Sequence, residues 1–455
     1  MQNYKIKLAA IARDEAAYLP EWIFHHLHFG FDEIELYINN TEDNSLALLS
    51  SLSDLPVTVT MADELFKSSK GDFQFRAYRE IAKKAVGEGF SHVMFLDIDE
   101  FWTPSDFSSS IKRALDQLGS PSVLSFNWLL HCDESEFSAC YDEKFQVKRS
   151  DHIKTIFKLD VKWQSIGAHN IISSEVEYKS ADGRVIEFEE DDPHRAIIKP
   201  SEDSLPPYFV IHRMFRSELE YISLLGRGRP SSLKIKNNRP GYYHKFGQKS
   251  ELSIDPFFLQ QYQSLYQEFV QKYDLEHQLE RAQRFVSERY KHVLSLASKA
   301  KGDDVFTFYK VFDAITLEEI ISIKNNLEKK ILSGKAEEVC RNLFSFELFV
   351  RFLKAKIWYK LGKLERSHFH YGQIDKKISS PDALDASLLN KVLSKNALPK
   401  TRQANIQKDI AVELTKEEKY DEALSFIDKA LDLNPTSQHL KNIRTSTLIN
   451  MQKSK

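Results

Sequence analysis

Apolar positions in the N-terminal hundred residues switch between two spacings. Ile6-Lys7-Leu8-Ala9-Ala10-Ile11 is a short apolar run ended by charge, whereas Leu19, Trp22, Ile23 and Leu27 recur at three and four residues. The first spacing predicts a strand and the second an amphipathic helix, with Pro20 tolerated in its first turn. Gly30 closes the helix, Ile34-Glu35-Leu36-Tyr37-Ile38 alternates as a second strand, and Asn39-Asn40-Thr41 reads as a turn. Val57-Thr58-Val59 is a weaker strand. Gln74 to Gly87 places Phe75, Tyr78, Ile81, Ala82 and Ala85 on one helical face. Val93-Met94-Phe95-Leu96 is the most apolar strand of this half and runs directly into Asp97-Ile98-Asp99-Glu100. Strands alternating with helices predict an α/β fold, a parallel sheet covered on both faces, with its ligand site at the carboxyl ends of the strands.

From about Ser120 to Gly247 the pattern shortens to strands and loops, such as Val123-Leu124-Ser125-Phe126 and Phe209-Val210-Ile211. Beyond Leu252 it turns helical and Gly and Pro become scarce. In this tail Ala411, Tyr420, Ala423, Ala430 and Pro435 fall at the small, aromatic, small, small and Pro positions of a tetratricopeptide repeat. Trp358-Tyr359-Lys360-Leu361-Gly362 resembles the first helix of another; an unrelated helical hairpin is the plainer alternative. The expected domains are residues 1–250, a helical connection over 251–300, and an α-helical, repeat-like module over 301–455.

Composition narrows the function classes. Of the 455 residues 42% are hydrophobic and 28% charged, which excludes a mainly disordered chain. Lys plus Arg is 63 against 66 Asp plus Glu, a net charge of -3, so no global basic field drives nucleic-acid binding. The cysteines Cys132, Cys140 and Cys340 show no CxxC spacing, which fits a reducing compartment and gives no thiolate zinc site. No stretch reaches the ~18 apolar residues of a membrane span. The expectation is a cytoplasmic protein with no transmembrane segment, peripheral at most at the inner face of a membrane.

Asp97, Asp99 and Glu100 stand where the apolar strand ends. In a period-two strand Asp97 and Asp99 would share a side, and two converging carboxylates suit a hard cation, Mn²⁺ or Mg²⁺, that keeps positions open for phosphate oxygens. A solvated turn is the alternative. The order of motifs resembles the GT-A glycosyltransferases of the family 2-like and family 92 type. The residues that carry the resemblance are Ala12-Arg13-Asp14-Glu15, Leu19-Pro20-Glu21-Trp22-Ile23, His26, Gly30, Tyr37-Ile38-Asn39-Asn40, Asp43, Gly71-Asp72, Gln74 and Phe95 to Phe101. Lys154-Thr155-Ile156, His169-Asn170, His212, Arg216-Ser217 and Arg227-Gly228 continue it more loosely, over roughly residues 1 to 230.

The resemblance implies a GT-A (Rossmann-like) nucleotide-sugar-binding domain. It implies a metal held by Asp99 and His212, with Asp97 on the metal or the donor ribose, and Arg13, Asp14 and Asp43 around base and ribose. Gln74 and Arg76 would face the pyrophosphate. His212 also reads as a hydrogen-bonded core histidine, and Arg76 as a solvent-facing helix residue. For His25, His26 and His28, packing along the first helix is the preferred reading. An inverting transferase needs a carboxylate base; the candidates are Asp133, Glu134 and the acidic run of Glu187 to Asp192, with Asp191 chosen from it. The expected activity is transfer of a hexose, such as galactose, from a UDP-linked or similar sugar to a saccharide or glycolipid acceptor. The tail is expected to bind a protein partner or a second copy. A catalytically inactive scaffold and a Mg²⁺-dependent phosphotransferase are the competing readings; the latter lacks a GxxxxGK[ST] loop.

Overall fold

The computed structural model describes residues 4–69, 71–132, 135–188, 192, 194–199, 205–227, 235–236, 239, 241–242, 249–332, 408, 411–412, 415, 420–435 and 437–453. The described elements follow the order β1 (Ile6–Ala12), α1 (Leu19–His28), β2 (Glu33–Ile38), α2 (Ser45–Ser51), β3 (Val57–Met61), α3 (Asp63–Ser68), α4 (Phe73–Gly87), β4 (His92–Phe95) and β5 (Glu100–Pro104). Then come α5 (Ile111–Gln117), β6 (Val123–Leu130), β7 (Lys144–Lys158), β8 (Ser165–Ile166), β9 (Ile171–Ile172), β10 (Tyr178–Ser180), β11 (Tyr208–His212), α6 (Glu218–Gly226) and β12 (Ser250–Ser253). The helices α7 (Pro256–Lys272), α8 (Glu276–Ser298), α9 (Asp303–Val311), α10 (Glu318–Leu332), α11 (Tyr420–Leu433) and α12 (Gln438–Lys453) complete the series.

The architecture is α/β around a mixed sheet of order β3-β2-β1-β4-β7-β6-β11-β5, with β10 beside β6 and β12 beside β7. The predicted parallel half is present: β1 pairs in parallel with β2 and β4, and β2 with β3. Alternation along β1 sorts its side chains between two cores. Ile6, Leu8, Ala10 and Ala12 face a cluster containing Trp22, Ile23 and Trp102, while Ala9 joins Tyr78, Ile81, Val93 and Phe95 on the opposite side. Helix α1 covers the first face and α4 the second. The other half departs from the expected short strands. β7 runs for 15 residues and is antiparallel to both β4 and β6; its charged middle, Lys148 to Asp151, hides the strand signal, and there Lys148 and Arg149 pair with Leu130 and Leu129 of β6.

His25 and His26 are fully buried, as the packing reading expected. His25 Nε2 lies 2.8 Å from the Trp102 carbonyl and His26 Nδ1 2.8 Å from the Trp22 carbonyl. The Trp102 amide donates to His26 Nε2 at 3.3 Å, so His26 carries its proton on Nδ1.

Two compact units emerge, one of Met1–Ala300 with Thr307–Asn326, the other of Lys301–Phe306 with Leu327–Lys455. The first unit therefore extends past the expected boundary at 250. Tyr262, Tyr266 and Phe269 of α7 pack on Phe24 of α1, with ring centroids 5.2–5.5 Å apart. Tyr221 Oη donates to the Val311 carbonyl at 2.9 Å, and the Tyr242 amide to that of Asp313 at 2.7 Å. Helix α6 opens with a capping box between Ser217 and Glu220 and packs on α8. In the second unit Ala423 and Ala430 are buried at the packing face of α11 and α12, and Pro435 follows α11. Trp358 to Gly362 lie outside the described residues.

Two predictions follow from this packing. A Cβ on Gly226 would stand 2.7 Å from Val293 Cγ2 and 3.0 Å from Arg289 Cγ, so Gly226→Ala should force α6 from α8. We expect a loss of about 1–3 kcal/mol in urea denaturation. Burial pushes the His26 pKa down to about 3, against 6.5 for an ordinary histidine. The unfolded chain then binds the proton first, so this contribution to stability is complete above pH 6.5 and drains as pH falls toward 3. The urea midpoint should drop across that window, and a His26→Asn protein, though less stable, should drop less.

Candidate functional site

The acidic signature is not the continuation of a strand. β4 ends at Phe95, and the Glu100 amide donates to the Asp97 carbonyl at 3.0 Å, closing a turn that carries Ile98 and Asp99 before β5 begins. Period-two alternation therefore does not bring Asp97 and Asp99 to one side, which corrects the expected geometry.

The turn separates the two carboxylates. Asp97 Oδ2 lies 3.2 Å from Lys154 Nζ, whose other partner is Glu100 Oε2 at 2.9 Å. Lys154 and Glu100 are fully buried, and Glu100 Oε2 also accepts the Asp97 amide at 2.8 Å. Antiparallel pairing of β7 with β4 ends at Met94 opposite Ile156, which leaves Lys154, two residues on, beneath the turn. Burial opposes the charge on Lys154, but Asp97 and Glu100 outweigh it and hold the ammonium above its ordinary range.

Asp99 points elsewhere. In the β11–β5 ladder His212 stands opposite Glu100, and the Arg213 amide continues it onto the Asp99 carbonyl at 2.8 Å. Asp99 Oδ2 thereby comes 3.7 Å from His212 Nε2. Burial works against ionisation of Asp99, yet His212, Arg216 and Arg239 hold its carboxyl well below the usual carboxylate range. His212 Nδ1 and Glu100 Oε1, 4.0 Å apart, are buried without a hydrogen-bond partner.

These donors fit a divalent cation. One carboxylate oxygen and one imidazole nitrogen 3.7 Å apart can reach a single ion at about 2.1 Å each. Asp97 is committed to Lys154 and does not join them in a three-ligand cluster. Among the described residues, the one group of three potential ligands within 4.8 Å is Glu33, Glu35 and Glu88. A cation already sits there: Lys7 Nζ lies 2.9 Å from Glu33 and 2.8 Å from Glu35, and pairs with Glu88. That cluster is a lysine-neutralised ion network on β1 and β2.

Around Asp99 the chain gathers positive charge. Arg216 lies 3.1 Å from Glu15 Oε2, its guanidinium 3.3 Å over the Tyr18 ring. Arg227 pairs with Glu15 and donates to the Arg13 carbonyl at 3.0 Å. Burial, with Arg239 and Arg227 beside it, pushes the Lys236 ammonium down to about 7. Burial also lowers Arg239, against the pull of Asp99, and its Nε is without a hydrogen-bond partner. On the far side of the turn Trp128 packs 4.2 Å from His212, stacks 5.1 Å from His152 and lies 5.0 Å from His169.

The remaining expected residues divide. Asp14, at a left-handed φ of 52°, accepts the Glu42 amide at 2.7 Å and Arg289 at 3.1 Å. Asp43 accepts the amides of Ala16 and Ser45 at 2.8 and 2.9 Å. Both carboxylates thus shape the loops after β1 and β2. Arg13 keeps 28% of its side chain exposed there, with its Nε 3.7 Å from Asp14. Gln74 donates to Tyr78 Oη at 3.1 Å, and Tyr78 stacks 4.1 Å from Phe95, below Asp97. Arg76 is exposed and donates to the Ser68 carbonyl at 3.2 Å, as a helix-surface residue would. Asp133, Glu134 and Asp191 lie outside the described residues. Sequence reasoning missed the roles of Lys154, Lys236, Arg239 and Arg289. The density of Arg227, Arg229, Lys234, Lys236 and Arg239 was the available signal for two of them.

No helix among the described residues is long and apolar enough to cross a membrane. No protein-family model matches the chain, and no curated protein matches it.

Proposed function

We propose that this chain is a metal-dependent glycosyltransferase of GT-A type that moves a hexose from a nucleotide sugar to a saccharide or glycolipid acceptor. The observation that carries the reading is the Asp99–His212 pair, 3.7 Å apart, with Arg216 and Arg239 helping to hold the Asp99 carboxylate ionised. A nucleotide sugar leaves as a diphosphate, whose oxygens gain negative charge as the glycosidic bond breaks. Mn²⁺ or Mg²⁺, when bound, would neutralise part of that charge. Asp99 and His212 would hold the ion. Lys236 and Arg239, rather than Arg76, would face the outer phosphate oxygens.

Glu100 and Lys154 serve this arrangement from beneath. They fix the turn, and so keep Asp99 aimed at His212 while Asp97 offers its second oxygen toward the donor. Arg13 would lie beside base and ribose in the loop shaped by Asp14 and Asp43. The UDP carrier and the galactose cargo rest on the resemblance described above, as do inversion at the anomeric carbon with an Asp133, Glu134 or Asp191 base and a cytoplasmic setting. The buried small residues of α11 and α12 support a tetratricopeptide-like tail that recognises a partner, a second copy or a long acceptor.

Calorimetric titration of the full chain with UDP in Mn²⁺ should give a binding isotherm that chelation of the metal removes. Asp99→Asn and His212→Ala should each abolish the Mn²⁺-dependent part with an unchanged circular dichroism spectrum; wild-type binding in either variant refutes the ligand assignment. Arg239→Ala should weaken UDP binding about 10- to 100-fold, the range of one charge-assisted contact, and leave the metal requirement in place. Lys154→Met should instead destabilise the fold by about 3–5 kcal/mol, because Glu100 is left buried without its counter-charge.

A further inference from the structure

We infer that the cavity between Asp151 of β7 and the described residues of 180–188, 192 and 197–199 is a binding site for a neutral saccharide, the acceptor of the transfer reaction. This rests on the function proposed above. The cavity is about 600 Å³, within the range of small-molecule sites. Its walls carry Asp151, Glu187, Asp192, Lys199, Val185 and Ile197.

The rim is built rather than loose. The Ile198 amide donates to the Asp151 carbonyl at 2.7 Å, and Asp192 Oδ2 accepts the amides of Ala196 and Ile197 at 2.8 and 3.1 Å. Asn127 Nδ2 holds the Ile198 carbonyl at 3.2 Å from the strand behind, and Arg184, also on the wall, pairs with Asp182 at 2.7 Å. Val185 and Ile197 nevertheless leave 57% and 47% of their surface open.

That combination suits a sugar. Carboxylates accept hydrogen bonds from adjacent hydroxyls, an ammonium donates to a ring or hydroxyl oxygen, and small apolar faces meet the C–H side of the ring. Three carboxylates against Lys199 and Arg184 disfavour a phosphorylated ligand, so this is not a second nucleotide subsite. The position fits an acceptor. Along β7, Asp151 lies at the cavity, His152 stacks on the Trp128 ring that touches His212, and Lys154 pairs with Asp97. His152 and the Trp128 ring thus link the strand segment at the cavity wall to the His212 side of the candidate cation site. The acidic run that begins at Glu187, read from the sequence as a source of a catalytic base, supplies walls to this pocket through Glu187 and Asp192.

The test separates this site from the donor site. Saturation-transfer NMR on the full-length chain with lactose, maltose, cellobiose and methyl β-galactoside should detect binding of at least one, with Kd of roughly millimolar order. Asp151→Asn and Val185→Asp, both at open positions, should each weaken that binding about three- to tenfold and leave Mn²⁺-dependent UDP binding unchanged. Absence of signal from all four sugars, or a signal that survives both substitutions, overturns the inference while UDP binding stands. Saccharide binding that responds to the substitutions in a protein that never binds UDP would keep the pocket and refute the donor reading.

Discussion

A single ammonium placed under a turn organises the candidate site. Lys154 is buried between Asp97 and Glu100, and an ion in that position must be matched by charge and hydrogen bonds or the fold pays several kcal/mol. Meeting that requirement fixes where the chain can turn after β4. Once Asp97 and Glu100 both reach Lys154, Ile98 falls to the apolar side and Asp99 is left on the other, where the β11–β5 register delivers His212. The position of Asp99 is thus set by a residue that is not itself a candidate ligand, and that of His212 by the register of its strand.

The same logic separates the two acidic clusters. Glu33, Glu35 and Glu88 come closer together than Asp97, Asp99 and His212, and on proximity alone would be the better metal site. They have Lys7, fully buried, at their centre. A group of carboxylates with an internal cation has already met its electrostatic need. Around Asp99 the compensating charges stand back, and Arg239 Nε, Glu100 Oε1 and His212 Nδ1 remain buried without partners. Polar atoms left in that condition cost free energy, a cost the lysine-neutralised cluster does not carry.

The parallel half of the sheet was legible because its apolar spacing alternates between periods of two and 3.6, and β1, α1, β2 and β4 bury the faces their spacing implies, whereas Phe75 of α4 and Val59 of β3 stay exposed. The site was legible as composition but not as geometry. Asp97, Asp99 and His212 could be picked out as acids and an imidazole at strand ends, yet the turn that parts Asp97 from Asp99 depends on Lys154, 57 residues downstream. β7 was hidden because its middle is charged, and its strand character there comes from pairing with β6. Lys236 and Arg239 sit in a polar stretch that reads as loop, and only burial beside Asp99 distinguishes them from solvated charge. Arg289 illustrates the same limit: nothing local to α8 marks a residue whose partner is Asp14, 275 positions away.

The extension of the first unit to residues 307–326 bears on how the molecule is made. The helix α1 face with Phe24, ready from the first thirty residues, is covered by α7 from Tyr262 onward, and Tyr221 waits for the carbonyl of Val311. During synthesis from the N-terminus at roughly 5–20 residues per second, the sheet strands β1 to β6 therefore emerge well before their outer cover. For that interval, on the order of ten seconds, the nascent chain carries an aromatic surface that only its own later helices can close. The stretch of synthesis between β6 and α7 is accordingly the one in which the Phe24 face of α1 lacks the rings that cover it in the finished fold.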